Sequence, residues 1–221
     1  MNDYLQPLIN EIRSQANPQK AIWAEKYLKN QFKCLGLNGS SLKRALKDFI
    51  KSYKLPDIDK LEEISLFLWE MEEREFQYCA VIIINKLSKK LRKEDIDWIQ
   101  KLIVSKSWWD SVDGLAMWIC GEYFKLYPEQ IPDVTKDWME SGNIWLQRTS
   151  LIFQLKYKKN TDTEILSKYI VQLADHKNFF IRKAIGWILR EYSKTNKEWV
   201  RDFVSKNTLS GLSVREATKY C

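Results

Sequence analysis

The sequence predicts an all-α protein: a curved α-α superhelix of stacked helical pairs, in one domain over residues 1–221. Three observations carry that expectation. Apolar residues recur at three- and four-residue spacing through almost the whole chain, and no stretch alternates with a period of two. Glycine and proline are scarce, 7 and 5 in 221 residues, which leaves room for long elements joined by short turns. A unit of 33 to 37 residues returns from Arg74 onward, as in arrays of stacked helix pairs.

Each element has its own signal. Leu5, Leu8, Ile9 and Ile12 form the stripe of a first helix. Asn17-Pro18 starts the second, with proline at the first helical position, and Ala21, Ala24, Tyr27 and Leu28 follow as its apolar residues. Gly36 ends the stretch after it. Leu42, Ala45, Leu46, Phe49, Ile50 and Tyr53 make another stripe, stopped by Leu55-Pro56-Asp57; Leu61, Ile64, Leu68 and Trp69 make the next. The repeat then shows as pairs three residues apart, early in a helix: Phe76/Cys79, Trp109/Val112, Leu146/Thr149, Ile181/Ala184 and Val214/Ala217. Their first members are 33, 37, 35 and 33 residues apart. No Gly/Ser linker, low-complexity tract or long charge block marks a domain boundary.

Composition narrows the function. Hydrophobic residues are 45% and aromatics 13%, so a sizeable core is available, and most of the 10 tryptophans are expected to pack in it. No apolar run approaches the roughly 20 residues of a membrane span, and Val81–Ile84 is far too short. Met1-Asn2-Asp3-Tyr4-Leu5 lacks a signal-peptide pattern, so the expected location is cytoplasmic. The net charge of +7 favours a polyanionic partner. Cys34, Cys79, Cys120 and Cys221 are widely spaced, which argues for reduced thiols rather than a zinc or redox motif. The single histidine, His176, excludes a metal site built on several histidines and reads as part of a polar turn. There is no Gly-rich phosphate loop and no G-x-S-x-G elbow.

The most informative segment is Ser107-Trp108-Trp109-Asp110-Ser111-Val112-Asp113. Ser107 and Asp110 have capping-box spacing, which accounts for Asp110. Asp113 then lies inside the helix, where aspartate is a poor helix former, on the same face as Trp109 four residues earlier. A broad ring beside a carboxylate can stabilise something cationic and flat-sided. In the repeat register Trp109, Arg148 and Trp187 fall in the first two turns of their second helices, with Lys183 and Arg190 close by. Equivalent positions of successive repeats are expected to line one concave strip. Cations there suit phosphates and aromatics suit sugars or bases. A lone carboxylate repels a phosphate backbone, so its presence on such a strip suggests chemistry.

Ser107–Asp113, Asn143-Ile144-Trp145-Leu146-Gln147-Arg148, Phe153-Gln154-Leu155-Lys156-Tyr157 and Phe180–Tyr192 resemble the AlkD family, bacterial alkylpurine DNA glycosylases built from HEAT-like repeats. Tyr27-Leu28-Lys29-Asn30, Arg74-Glu75-Phe76-Gln77 and Leu212–Ala217 extend the resemblance over nearly the whole chain. It implies removal of purines alkylated at N3 or N7 from duplex DNA, leaving an abasic site; the accompanying expectations are a monomer, no metal and no organic cofactor. It implies Asp113, Trp109 and Trp187 as the catalytic set. It places Arg148, Tyr27, Lys156 and Arg190 on DNA, with Lys183 and Lys106 completing the cationic set. The chain departs from the family pattern at Asn38-Gly39-Ser40-Ser41, which lacks the usual proline, at Glu72-Glu73, and at Val214, where some members carry a second arginine.

That chemistry suits these residues. Alkylation puts a positive charge on the purine, so its departure needs no general acid. The sugar acquires oxocarbenium character, which a preorganised carboxylate and electron-rich indole faces stabilise. The resemblance also implies that the lesion stays stacked rather than flipped into a pocket. The blander readings are packing for Trp109 and Trp187, pairing with an acid such as Glu140 for Arg148, solvation for Lys156 and core for Tyr27. Two other functions fit the same scaffold: a non-catalytic binder of damaged or branched DNA, and a protein-binding scaffold.

Overall fold

The computed structural model describes residues 2–220; Met1 and Cys221, and with it the expectation of a reduced thiol there, lie outside the described residues. The all-α expectation holds. Among the described residues there is no strand, and extended chain pairs only in an isolated parallel bridge between Lys33 and Glu73. No helix among them is long and apolar enough to cross a membrane. The chain groups into two compact units, Met1–Leu91 and Arg92–Cys221. The division falls between two single 3-10 turns, Ser88–Lys90 and Lys93–Asp95.

The first unit holds α1 (Asn2–Ser14), α2 (Pro18–Tyr27), α3 (Gly39–Tyr53), α4 (Leu61–Glu70) and α5 (Arg74–Leu87). The stripe of α1 buries itself, as does most of that of α3: Leu5, Leu8, Ile9 and Ile12, and Leu42, Ala45, Leu46 and Phe49, are at most 5% exposed, whereas Ile50 is half-buried and Tyr53 is 50% exposed. α1 packs on α3, and α4 on α5. α3 stops where Lys54 turns to φ +67° and donates its N–H to the Ile50 carbonyl. The second helix is different. It ends at Tyr27, and none of its residues is fully buried. Gly36 therefore ends no helix. It sits nine residues beyond, at φ +84°, where a Cβ would lie 2.4 Å from the Asn17 carbonyl oxygen and 2.5 Å from the Ala21 nitrogen. Only glycine allows this approach of backbone to the start of α2. The segment is held from the other side by Glu75, 3% exposed, whose carboxylate accepts the amides of Leu35, Gly36 and Leu37 at 2.9–3.2 Å.

The second unit holds α6 (Ile96–Val104), α7 (Trp109–Gly114), α8 (Gly121–Leu126), α9 (Ile131–Glu140), α10 (Ile144–Ile152), α11 (Thr163–Gln172), α12 (Phe179–Ser193), α13 (Lys197–Lys206) and α14 (Gly211–Ala217). A π-helical turn, Leu115–Cys120, joins α7 to α8. Side chains of Asn143, Asp162, Asn178, Asn196 and Ser210 cap the starts of α10 to α14 by accepting first-turn amides. Leu151, Ile152, Ile170, Ile181, Ala184, Ile185, Ile188 and Leu189 lie in its core.

The repeat is more regular than the apolar pairs suggested. α5, α7, α10 and α12 start at residues 74, 109, 144 and 179, each 35 after the last, and α14 starts 32 later. Phe76/Cys79, Leu146/Thr149 and Ile181/Ala184 are the third and sixth residues of their helices. In α7 those positions are Ser111 and Gly114, not Trp109 and Val112. Ser111 is 1% exposed; a small polar residue and a glycine give no apolar signal, so the sequence pattern slipped by two residues there.

α12 packs closely on α14 because Gly186 has no side chain: a Cβ would lie 2.4 Å from the Glu216 Cβ and 2.9 Å from the Ser213 carbonyl oxygen. A glycine inside a helix hints at such an approach in the sequence itself, and the structure bears it out. Alanine is the better helix former by about 1 kcal/mol, yet Gly186→Ala is expected to destabilise the chain by about 1–3 kcal/mol, because both atoms it meets are fixed. Urea unfolding measures this; a stabilised variant contradicts the close packing.

Candidate active site

The chain turns from α6 into α7 over Ser105–Trp108, with Lys106 at φ +45°. Ser107 does not cap α7. Its hydroxyl donates back to the Ile103 carbonyl at 2.6 Å, and Trp108, in extended conformation, is the N-cap without a side-chain hydrogen bond. Trp109 is therefore the first residue of α7 and Asp113 the fifth. Both Trp108 and Trp109 are half-buried. Trp108 belongs to a ring cluster with Trp145 and Phe180, at centroid distances of 5.1–5.9 Å.

The 35-residue period makes Asp113, Arg148 and Lys183 the equivalent fifth residues of α7, α10 and α12. The first two meet. Arg148 donates from Nε to Asp113 Oδ1 at 2.7 Å and from Nη2 to Oδ2 at 2.8 Å, and from Nη1 to the Phe180 carbonyl at 2.5 Å. Side-chain exposures are 5% for Arg148 and 12% for Asp113. The fork geometry of the two parallel bonds fixes the carboxylate in plane and direction. Burial pushes the Asp113 carboxyl above the ordinary aspartate range; Arg148 pulls it down, and Asp110 adds to the rise.

The resemblance implies Arg148 on DNA; in the structure its guanidinium is buried, with Nε, Nη1 and Nη2 all engaged, and it is the partner of Asp113. Its acid is Asp113, not Glu140. Trp187 is also displaced from its expected place. It is the ninth residue of α12, in the third turn, and not the equivalent of Trp109; it is half-buried and rests against the apolar core.

The next equivalent residue, Lys183, joins a second charge cluster. Glu216 of α14 receives Lys183 at 2.9 Å, Lys219 at 3.2 Å and the Arg190 guanidinium. The hydrogen bond from Lys183 is the largest of the effects that hold its carboxyl down to about 2, against the opposing pull of burial. Lys183 and Arg190, expected on phosphates, are therefore paired, though 37% and 22% of their side chains remain exposed. Three cations on one carboxylate leave this cluster positive. Lys156 is exposed, with its ammonium 5.3 Å from the centroid of the Trp118 ring. Trp118 is 42% exposed, turned outward from the π-helical turn that follows Asp113, and was missed in the sequence; nothing in its spacing separated it from packing tryptophans. Tyr27 lies in the other unit and is 67% exposed, so it is not core. His176 accepts the Asn178 amide at its Nδ1, in the polar turn before α12. Cys79 and Cys120 are buried, which pushes their thiols far above the usual range.

An all-helical chain whose helices return every 35 residues, with a carboxylate fixed by a buried arginine, defines a helical-repeat protein. The sequence matches the family described as DNA alkylation repair enzyme over residues 8–221, and the chain belongs to that family. No curated protein matches it. Among solved structures, a predicted DNA alkylation repair enzyme from Enterococcus faecalis is 32% identical, with a TM-score of 0.87 over 93% of this chain and 96% of its own. AlkD2 from Streptococcus mutans shares the fold at 19% identity, with a TM-score of 0.63 over 91% of this chain and 97% of its own. So does smu.31 from Streptococcus mutans UA159, at 20% identity and a TM-score of 0.60 over 82% and 98%.

The Glu216 cluster sets a pH window. A carboxyl held below its ordinary value contributes stability that is complete above about pH 4.5 and fades as pH falls toward 2. The melting temperature is expected to drop across that window in the wild type and to drop less in Glu216→Gln; parallel curves for the two proteins contradict the cluster.

Proposed function

We propose that this chain is a DNA glycosylase that hydrolyses the N-glycosidic bond of N3- and N7-alkylated purines in duplex DNA, leaving an abasic site. The observation that carries this reading is Asp113: a carboxylate in a helix interior, one turn from the half-buried Trp109, oriented through both oxygens by a buried arginine. Membership of the DNA alkylation repair family supports it.

The cationic base leaves with the electron pair of the C1′–N bond and becomes neutral. The deoxyribose carries the positive charge until water adds at C1′ and loses its proton. Asp113 stabilises that charge and orients the water. A buried aspartate on its own would take up a proton and lose this ability. Arg148 keeps it ionised and aimed, at the expense of part of its field. Trp109 and Trp187 offer indole faces to the sugar cation. Lys156, Lys106, Lys183, Arg190 and Tyr27 supply contacts to the DNA backbone.

One observation favours a second reading, a non-catalytic binder of damaged DNA on the same scaffold: Arg148 already occupies both Asp113 oxygens, and the residue is 8% exposed. Base release from methylated duplex DNA separates the two. The glycosylase reading expects release of 7-methylguanine or 3-methyladenine, reduced roughly 100- to 1000-fold in Asp113→Asn, on the scale of losing one preorganised electrostatic group. Binding of unmodified DNA reports whether that variant remains folded. No release by the wild type, or undiminished release by Asp113→Asn, overturns the glycosylase reading.

The same assay has a pH signature. Asp113 acts ionised, and its carboxyl titrates above the ordinary aspartate range. Enzymatic release, corrected for spontaneous depurination, is expected to decline toward acid with a midpoint higher than about 3.9, the value of a free aspartate. Arg148→Met, which leaves the carboxylate buried without its partner, is expected to move that midpoint upward.

A further inference from the structure

Arg182 is the exception among the cations of α12. Lys183 and Arg190 both pair with Glu216. The Arg182 side chain is half-buried, with its Nε fully so, and it has no hydrogen-bond or ion-pair partner among the described residues. Burying a guanidinium N–H without an acceptor is costly, and native structures leave few such groups unless an ion, ligand or water completes them. A water molecule satisfies the N–H but does little for the charge.

Arg182 lines a recess of about 150 Å³ between two turns, Ala174–Lys177 ahead of α12 and Thr208–Ser210 ahead of α14. The polar groups left open there are mostly donors. His176 accepts the Asn178 amide at Nδ1, so the neutral ring carries its hydrogen on Nε2, which makes no hydrogen bond within the described chain. Lys177 and Thr208 are exposed, with ammonium and hydroxyl unengaged. Ser210 is already occupied. Its Oγ takes the Ser213 amide at 3.1 Å, and because the Ser213 hydroxyl donates to the Arg182 carbonyl, the Ser210 hydroxyl donates to Ser213. Asp175 is the one acid in the lining among the described residues; it is exposed and pairs with neither cation.

We propose that this recess binds a phosphate group with at least three unesterified oxygens, either inorganic phosphate or a phosphate monoester. Arg182 and the His176 Nε2–H donate to its oxygens, Thr208 adds a hydroxyl, and Lys177 adds charge at the mouth. The donor set decides the class. A guanidinium fork matches two oxygens of an oxyanion, and the remaining donors come from two separate turns, which suits a group whose oxygens point in several directions. A phosphate within a nucleic-acid backbone keeps only two such oxygens and carries a sugar on either side, too bulky for a recess of this size. The inference goes beyond base release and does not depend on it.

The test titrates the full chain, in phosphate-free buffer, with inorganic phosphate, with glycerol 3-phosphate as the monoester, and with chloride at matched ionic strength, following heat of binding and melting temperature. The wild type is expected to bind phosphate saturably and to melt higher with it, and to do neither with chloride. The tighter of the two phosphates identifies the source. Arg182→Met keeps the apolar stem and removes the charge. It is expected to melt no lower than the wild type without phosphate, and to bind phosphate roughly 10- to 100-fold more weakly, the loss of a charged hydrogen-bonding partner. Thr208→Val, at an exposed position, is expected to weaken phosphate roughly 2- to 10-fold. Affinity for an unmethylated duplex is expected to be the same in the wild type and Arg182→Met. No saturable binding by the wild type, or undiminished binding by Arg182→Met, overturns the proposal. So does a loss of duplex affinity in Arg182→Met, which makes the residue a backbone contact. If base release is present but phosphate does not bind, only this inference fails. If the wild type releases no base yet phosphate binds through Arg182, only the glycosylase reading fails.

Discussion

One arginine ties three successive repeat helices of the second unit together. Arg148 stands on α10, reaches α7 through both oxygens of Asp113, and reaches the start of α12 through the Phe180 carbonyl. Taking two charges out of water is costly, so such a pair adds little net stability compared with apolar packing of the same volume. Removing one partner is another matter, since it leaves an uncompensated charge behind. The pair therefore specifies position more than it stabilises: it sets where the carboxylate stands relative to three helix starts at once.

This arrangement follows from the regularity of the chain. A period of 35 residues puts the same helix position one repeat further along, so a side chain at the fifth place of one helix finds the fifth place of the next. Asp113 meets Arg148 for that reason. The chemistry of the partners then differs along the series. The acid of α7 takes the arginine of α10, and the lysine of α12, deprived of an equivalent acid, turns to Glu216 of α14. The two clusters are successive solutions to one geometric problem, and the second leaves an excess of positive charge where the first leaves none.

Much of this was legible in the residues. Leu5, Leu8, Ile9 and Ile12, and the stripe from Leu42 to Phe49, announce their helices because burial demands a 3.6-residue period. The repeat and the close approach at Gly186 were legible for similar reasons. Other features were not. Ser107 carries a capping spacing, but a hydroxyl can reach back as readily as forward, and here it closes α6. The register slipped at α7 because Ser111 and Gly114 bury without being apolar. The pairing of Arg148 with Asp113 was hidden because spacing within one helix does not tell which helix lies opposite. Trp118 and Trp23 were silent for a plain reason: a tryptophan has the same letter in a core and on a surface.

The helix α2 carries a consequence for how such a chain changes over time. Ile22 and Trp23, 53% and 72% exposed, lie outside the core, so they can be replaced without loosening the packing, whereas Gly36, at φ +84° against the Asn17 carbonyl, cannot. Selection on that face is then released from the ordinary conflict between stability and activity. Successive generations can retune what the helix touches while the scaffold holding it stays as it is.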